Sequence, residues 1–121
     1  MYLYRVALVD AEFYAYHGYY AQENVLGGQY LVNIELIKSN YTVSLPLELS
    51  HTLDYQTLYK IADTHMQKRY HLLEEIAHNI ITDIKTEFHD FESVTVSIAK
   101  KNPPIGGLCK QTEVSLTYIN K

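Results

Sequence analysis

Apolar and polar residues alternate most cleanly over residues 29–38, where Tyr30, Val32, Ile34 and Leu36 share one face and Asn33 and Glu35 the other. A two-residue period predicts a half-buried strand. Residues 93–100 repeat the pattern with Val94, Val96 and Ile98, and residues 112–119 repeat it with Val114, Leu116 and Tyr118. Residues 2–13, rich in Val, Leu, Tyr and Phe, predict a further strand at the start of the chain. The stretch YAYHGYYAQENVLGGQ between the first two strands carries Gly18 and the pair Gly27-Gly28. It predicts a long turn or loop, so these strands form a hairpin with an elaborated connection. Segment 39–53 has no clear period and contains Pro46.

A helical period begins near Asp54. Asp54 can accept a hydrogen bond from a free N–H of the first turn, and Leu58, Ile61, Ala62 and Met66 form an apolar stripe behind it. A second helix is predicted from about His71 to Phe88, with Leu73, Ile76, Ala77, Ile80, Ile84 and Phe88 at helical spacing. Glu74 and Glu75 fall in its first turn, where the helix dipole favours negative charge. The order is β-β-α-α-β-β. Hairpins at both ends with a helix pair on one face give an α+β fold with an antiparallel four-stranded sheet. Four strands leave two open edges, which predicts assembly of several subunits into a larger closed sheet.

Length changes this picture little: 121 residues suit a single domain spanning 1–121. Apolar residues make up 47% of the chain, but twelve residues are Tyr, whose hydroxyls need partners when buried. In so small a domain, part of that aromatic surface is expected between subunits. A formal net charge of −4 without a basic block argues against nucleic acid as a partner. Cys109 stands alone, which excludes an internal disulfide and a Cys-based zinc cluster. The N-terminal MYLYRVALVD lacks a basic leader, and no run approaches the roughly 20 apolar residues of a membrane helix. A cytoplasmic protein with no membrane association is the expectation.

Lys100 is the most informative candidate for chemistry. It continues the face of Val94, Val96 and Ile98. An ammonium at the end of an apolar strand face is partly desolvated, which should lower its pKa from about 10.4 and suit it to acid–base work. From position alone, a Lys snorkelling to water is the more ordinary account. Glu23, in the Gly-bounded loop, and Tyr55, just after the N-cap Asp54, are reactive types that would ordinarily be surface residues. Glu74 could accept two hydrogen bonds from a guanidine-like ligand edge, or simply favour the helix dipole. Six His residues form no His-x-His pair and no HExxH, so no metal site is expected. No Walker loop, GxGxxG or GxSxG occurs.

Four segments together carry more than any one of them. Tyr16-His17-Gly18 with Glu23 and Gly28-Gln29, Leu53-Asp54-Tyr55, Leu72-Leu73-Glu74, and Lys100 with Asn102-Pro103-Pro104-Ile105 stand in one order and spacing. In these the chain resembles the dihydroneopterin aldolase family over nearly its whole length. The resemblance implies a tunnelling fold (T-fold), in which subunit sheets join into an oligomeric barrel. A tetramer ring or an octamer of two rings is implied, with active sites at subunit interfaces. It also implies folate-pathway cleavage of 7,8-dihydroneopterin, a small-molecule pterin, to 6-hydroxymethyl-7,8-dihydropterin and glycolaldehyde, with C2′ epimerisation in many members. No metal, Schiff base or cofactor is implied, because the pterin ring is itself the electron sink. By resemblance Lys100 is the base acting through water, and Tyr55 of the adjacent subunit protonates the enol. Glu23 orders the site around Lys100, and Glu74 grips the 2-amino group and ring N–H. Leu73, Leu53 and Asp54 line the pterin slot through their backbone. Gly27-Gly28 is one residue longer than the family's single Gly before Gln. Segment 44–55 lacks the acidic cluster many members carry.

Two other readings stand beside this one. An epimerase of dihydroneopterin or its triphosphate would favour basic residues near the site, for which Lys101 and Lys110 are the candidates. A non-catalytic pterin-binding oligomer would have no need of Glu23, Tyr55, Glu74 and Lys100 together.

Overall fold

The computed structural model describes residues 1–121. Four strands, β1 (Tyr2–Ala15), β2 (Gly28–Tyr41), β3 (Ser93–Lys101) and β4 (Gln111–Ile119), pair antiparallel in the order β1-β2-β3-β4. The short α1 (Ala21–Leu26) lies between β1 and β2, and α2 (Tyr55–Met66) and α3 (Leu73–Glu87) lie between β2 and β3. The α+β sheet-and-helix-pair architecture read from the periodicity is therefore present.

The helices cover one sheet face. Tyr30, Val32, Ile34 and Leu36 of β2 and Val94, Val96 and Ile98 of β3 are buried there. They meet Leu58, Ile61, Ala62 and Met66 of α2 and Ile76, Ala77, Ile80 and Ile84 of α3 in one cluster. Each fully buried Leu or Ile contributes roughly 1.5–3 kcal/mol, which is what holds these helices in register on the strands. The other face is polar. Arg5 pairs with Glu35 across β1 and β2, while Thr95 bonds Thr117 at 2.8 Å and Ser97 donates to Ser115 at 3.1 Å across β3 and β4.

Three differences from the sequence reading bear on the site. β1 runs on to Ala15, where it pairs with Gly28, and its register with β2 shifts between Leu8 and Ala11. Asp10 takes φ 51° there, and its N–H donates to Asn33 Oδ1 at 2.8 Å. Before the shift Tyr4, Val6 and Leu8 pack on the core; after it Ala11, Phe13 and Ala15 do. Such a bulge changes the phase of the strand, so no single alternation marks β1. The segment expected as a loop contains α1. The last helix begins at Leu73 rather than His71. Glu75 sets that start by reaching back to accept the Leu72 N–H at 3.1 Å.

Candidate active site

Lys100 lies at the end of β3, opposite Tyr30 of β2. Its side chain follows Val94, Val96 and Ile98 onto the helix-covered face. It does not snorkel: it pairs with the Glu23 carboxylate, and the two side chains are only 12% and 15% exposed. Two influences meet at Nζ, since burial removes water while Glu23 supplies the counter-charge. The Tyr30 ring lies beneath, with Nζ 5.6 Å from its centroid. The pair sets a cationic nitrogen and a carboxylate against each other in a largely dry wall, where their charges are little screened.

Glu23 reaches Lys100 because of how α1 is seated. Tyr14 Oη donates to the Leu26 carbonyl at 2.6 Å, and Asn24 Nδ2 donates to the Tyr20 carbonyl at 3.1 Å. Gly27, with φ 73°, ends the helix, and its N–H donates to the Glu23 carbonyl at 3.0 Å. A Cβ at Gly27 would stand 2.6 Å from the Tyr14 ring. The two glycines thus have separate duties: Gly27 caps α1 and Gly28 opens β2. Gly18 serves Glu23 directly. A Cβ there would lie 1.8 Å from Glu23 Oε2, so only glycine leaves room for the carboxylate on its way to Lys100.

Behind the pair stands His17, which is 0% exposed. Its Nδ1 accepts the Tyr70 N–H at 3.1 Å, and its carbonyl accepts the Tyr30 hydroxyl at 2.8 Å. Burial, and then the nearby Lys100 charge, lower its pKa from 6.5 to about 4. Burial likewise pushes the Tyr30 hydroxyl upward, against the pull of Lys100. The start of α3 belongs to this end of the molecule, because the Gly18 N–H donates to the Tyr70 carbonyl at 2.8 Å. Tyr19 also meets His71 edge-on, with ring centroids 6.5 Å apart. Leu73 is half-buried at the first position of α3, and Glu74 is exposed one residue later.

Leu53, Asp54 and Tyr55 lie elsewhere. The Leu53 N–H donates to Tyr4 Oη at 3.3 Å, and Tyr4 pairs with Lys38 in the sheet. Lys38 is eight residues along β2 from Tyr30, about 27 Å at the usual rise of a strand. Asp54 caps α2 by accepting the Gln56 N–H at 2.9 Å, and Tyr55 is 63% exposed. The structure therefore brings Glu23 and Lys100 together, sets Leu73 and Glu74 at the same end, and leaves Leu53, Asp54 and Tyr55 at the opposite end. Sequence reasoning used Gly18 as a turn signal, Tyr30 as part of a strand face and His17-Gly18 within a family segment, but gave none of them, nor Tyr70, a part in the site. The signal available was the run Tyr16-His17-Gly18, in which an aromatic-flanked His precedes a glycine five residues before Glu23.

The family model described as FolB, dihydroneopterin aldolase, matches residues 6–117. A dihydroneopterin aldolase of Streptococcus pyogenes is 31% identical over 113 residues, covering 93% of this chain and 95% of its own. Among solved structures, a FolB protein of Vibrio cholerae superposes with a TM-score of 0.83 at 18% identity, covering 98% of this chain and 99% of that one. The E. coli dihydroneopterin aldolase in complex with neopterin gives 0.82 at 16% identity, covering 94% and 97%.

Proposed function

The chain belongs to the dihydroneopterin aldolase family, whose members are lyases, and from that premise we propose a site shared between two copies of the chain. The observation that carries the reading is the buried contact between Lys100 and Glu23 at the end of the molecule that also presents Leu73 and Glu74. In the retro-aldol step, Lys100 in its neutral amine form takes the proton of the substrate 2′-hydroxyl through a water and becomes an ammonium. The C1′–C2′ bond breaks, its electron pair passes into the ring imine, and glycolaldehyde leaves. Tyr55 then returns a proton to C1′, giving 6-hydroxymethyl-7,8-dihydropterin. Glu23 holds Lys100 and balances its charge. The Glu74 carboxylate accepts from the 2-amino group and ring N–H, a bidentate grip of the kind a guanidinium makes.

Tyr55 lies too far from Lys100 to act within one chain. The same separation supports an intersubunit site, in which one copy supplies Glu23, Leu73, Glu74 and Lys100 and the next supplies Leu53, Asp54 and Tyr55. The outer edges of β1 and β4 have no partner within the chain, and apolar residues such as Tyr2, Val9 and Ile119 are exposed on these strands. Edges of this kind call for pairing, and a ring of copies, as a tetramer or an octamer of two rings, closes them. Each subunit contributes one domain, residues 1–121. No helix is long and apolar enough to cross a membrane, and Cys109 is a free thiol, which suits a reducing cytoplasm.

Incubation with 7,8-dihydroneopterin, followed by product analysis, tests the reading. Glycolaldehyde and 6-hydroxymethyl-7,8-dihydropterin in equal amounts are expected, with or without the C2′ epimer. The epimer alone would identify an epimerase. Binding without turnover would identify a pterin-binding oligomer.

A further inference from the structure

We propose that His17 is a positioning residue that locks the substrate-gripping start of α3 to the turn carrying the Glu23–Lys100 pair. Its hydrogen bonds join three separate pieces of chain. On one side Nδ1 accepts the Tyr70 N–H at 3.1 Å, and the Tyr70 carbonyl accepts the neighbouring Gly18 N–H at 2.8 Å. Tyr70 precedes Leu72, Leu73 and Glu74, while Gly18 is the residue over which the Glu23 carboxylate passes. On the other side the His17 carbonyl accepts the Tyr30 hydroxyl at 2.8 Å, and the Tyr30 ring lies under Lys100. Glu74 and Lys100 share no secondary-structure element; core packing joins α3 to β3, and these bonds add a polar tie at the end where the two residues lie.

The ring performs this task only in one protonation state. Because Nδ1 accepts, the neutral ring carries its proton on Nε2. A protonated ring would turn a donor toward the Tyr70 N–H and set a second positive charge beside Lys100. The buried surroundings of His17 disfavour that charge. Tyr70 is also held at its far end. Its hydroxyl bonds His65 Nδ1 at 2.8 Å, and His65 Nε2 meets Asp83 Oδ2 at 2.6 Å, so α2 and α3 both brace the residue that His17 grips. A shift of about 1 Å between a binding group and a base can cost about 10²-fold in rate, so a fixed spacing between Glu74 and Lys100 has a functional value beyond stability.

The kinetic arm of the test rests on the aldolase reading above; the spectroscopic and binding arms do not. His17→Leu removes the acceptor, whereas His17→Asn places Oδ1 where Nδ1 stood. In oligomers of matched folded content, kcat/KM for 7,8-dihydroneopterin should fall about 10²-fold in the Leu variant and stay within about tenfold of wild type in the Asn variant. Affinity for neopterin, used as the binding probe, should follow the same order. In the unaltered protein, nitrogen chemical shifts of His17 at pH 7 should report the neutral Nε2–H tautomer, a measurement that stands even if a variant does not fold. Leu and Asn variants with equal turnover and equal neopterin affinity would overturn the proposal, as would an Nδ1–H tautomer or an imidazolium. Loss of all wild-type turnover with the Nε2–H tautomer and the binding order intact would remove the aldolase reading and leave the clamp standing.

Discussion

Gly18→Ala is the smallest change that should separate Glu23 from Lys100. The added Cβ would stand 1.8, 2.5 and 2.6 Å from Glu23 Oε2, Cδ and Cβ, and φ at this residue is 144°. Contacts that short leave the carboxylate no choice but to withdraw, because the Cβ is fixed to the backbone. Lys100 would then be a largely buried ammonium without its partner, which costs about 3–5 kcal/mol. Backbone strain at the positive φ adds about 1–3 kcal/mol. At about 4 °C per kcal/mol for a domain of this size, the pair term alone lowers Tm by about 12–20 °C. Turnover, measured below the new Tm, should fall about 10²-fold if Lys100 is the base and Glu23 orients it, as proposed. Circular dichroism melts at one fixed protein concentration, paired with glycolaldehyde release, provide the assay. Gly107→Ala is the control, since a Cβ there meets nothing within 4 Å. A Gly18→Ala protein with wild-type Tm and turnover would refute the account of how Glu23 is seated.

Two further outcomes follow from the same geometry. His17 takes a proton near pH 6.5 in the unfolded chain but only near pH 4 in the fold; its contribution is therefore fully present above pH 6.5 and lost as pH falls toward 4, by at most about 3 kcal/mol. Urea midpoints at pH 7 and pH 4.5 should differ less in His17→Asn than in wild type, and identical acid losses would sink this assignment. Mixing unfolded Lys100→Ala with unfolded Tyr55→Phe and refolding them together should restore activity that neither variant has alone, because a fraction of interfaces then pairs an intact Lys100 with an intact Tyr55. Mixed oligomers as inactive as the parents would place both residues in one subunit's site.

The parts of the fold that were legible in the sequence are those with one uninterrupted period. β2, β3 and β4 alternate because one face of each packs on the helices, and α2 and α3 show stripes because each buries a single side. β1 was harder to read because its bulge at Asp10 changes which residues face inward. α1 was hidden because it buries no apolar side chain: Val25 and Leu26 are exposed, and Glu23 is the side chain it turns inward, so no apolar stripe marks it. Lys100 was legible as the end of an apolar face, but its partner was not: 77 residues separate it from Glu23. Resemblance linked the two, and the seat made by Gly18 and α1 explains physically why they meet. Nothing in the periodicity could place Tyr55 at the far end of the sheet, since that depends on where α2 starts relative to Tyr4 and Lys38.

The central claim is that Lys100 is the base of the cleavage. Glycolaldehyde release from 7,8-dihydroneopterin, measured for wild type, Lys100→Ala and Glu74→Ala with neopterin affinity determined in parallel, tests it most directly. Lys100→Ala should keep its affinity within about tenfold but lose cleavage by about 10²–10⁴-fold, the range of a general base. Glu74→Ala should instead lose affinity first. Near-normal cleavage by Lys100→Ala would contradict the account.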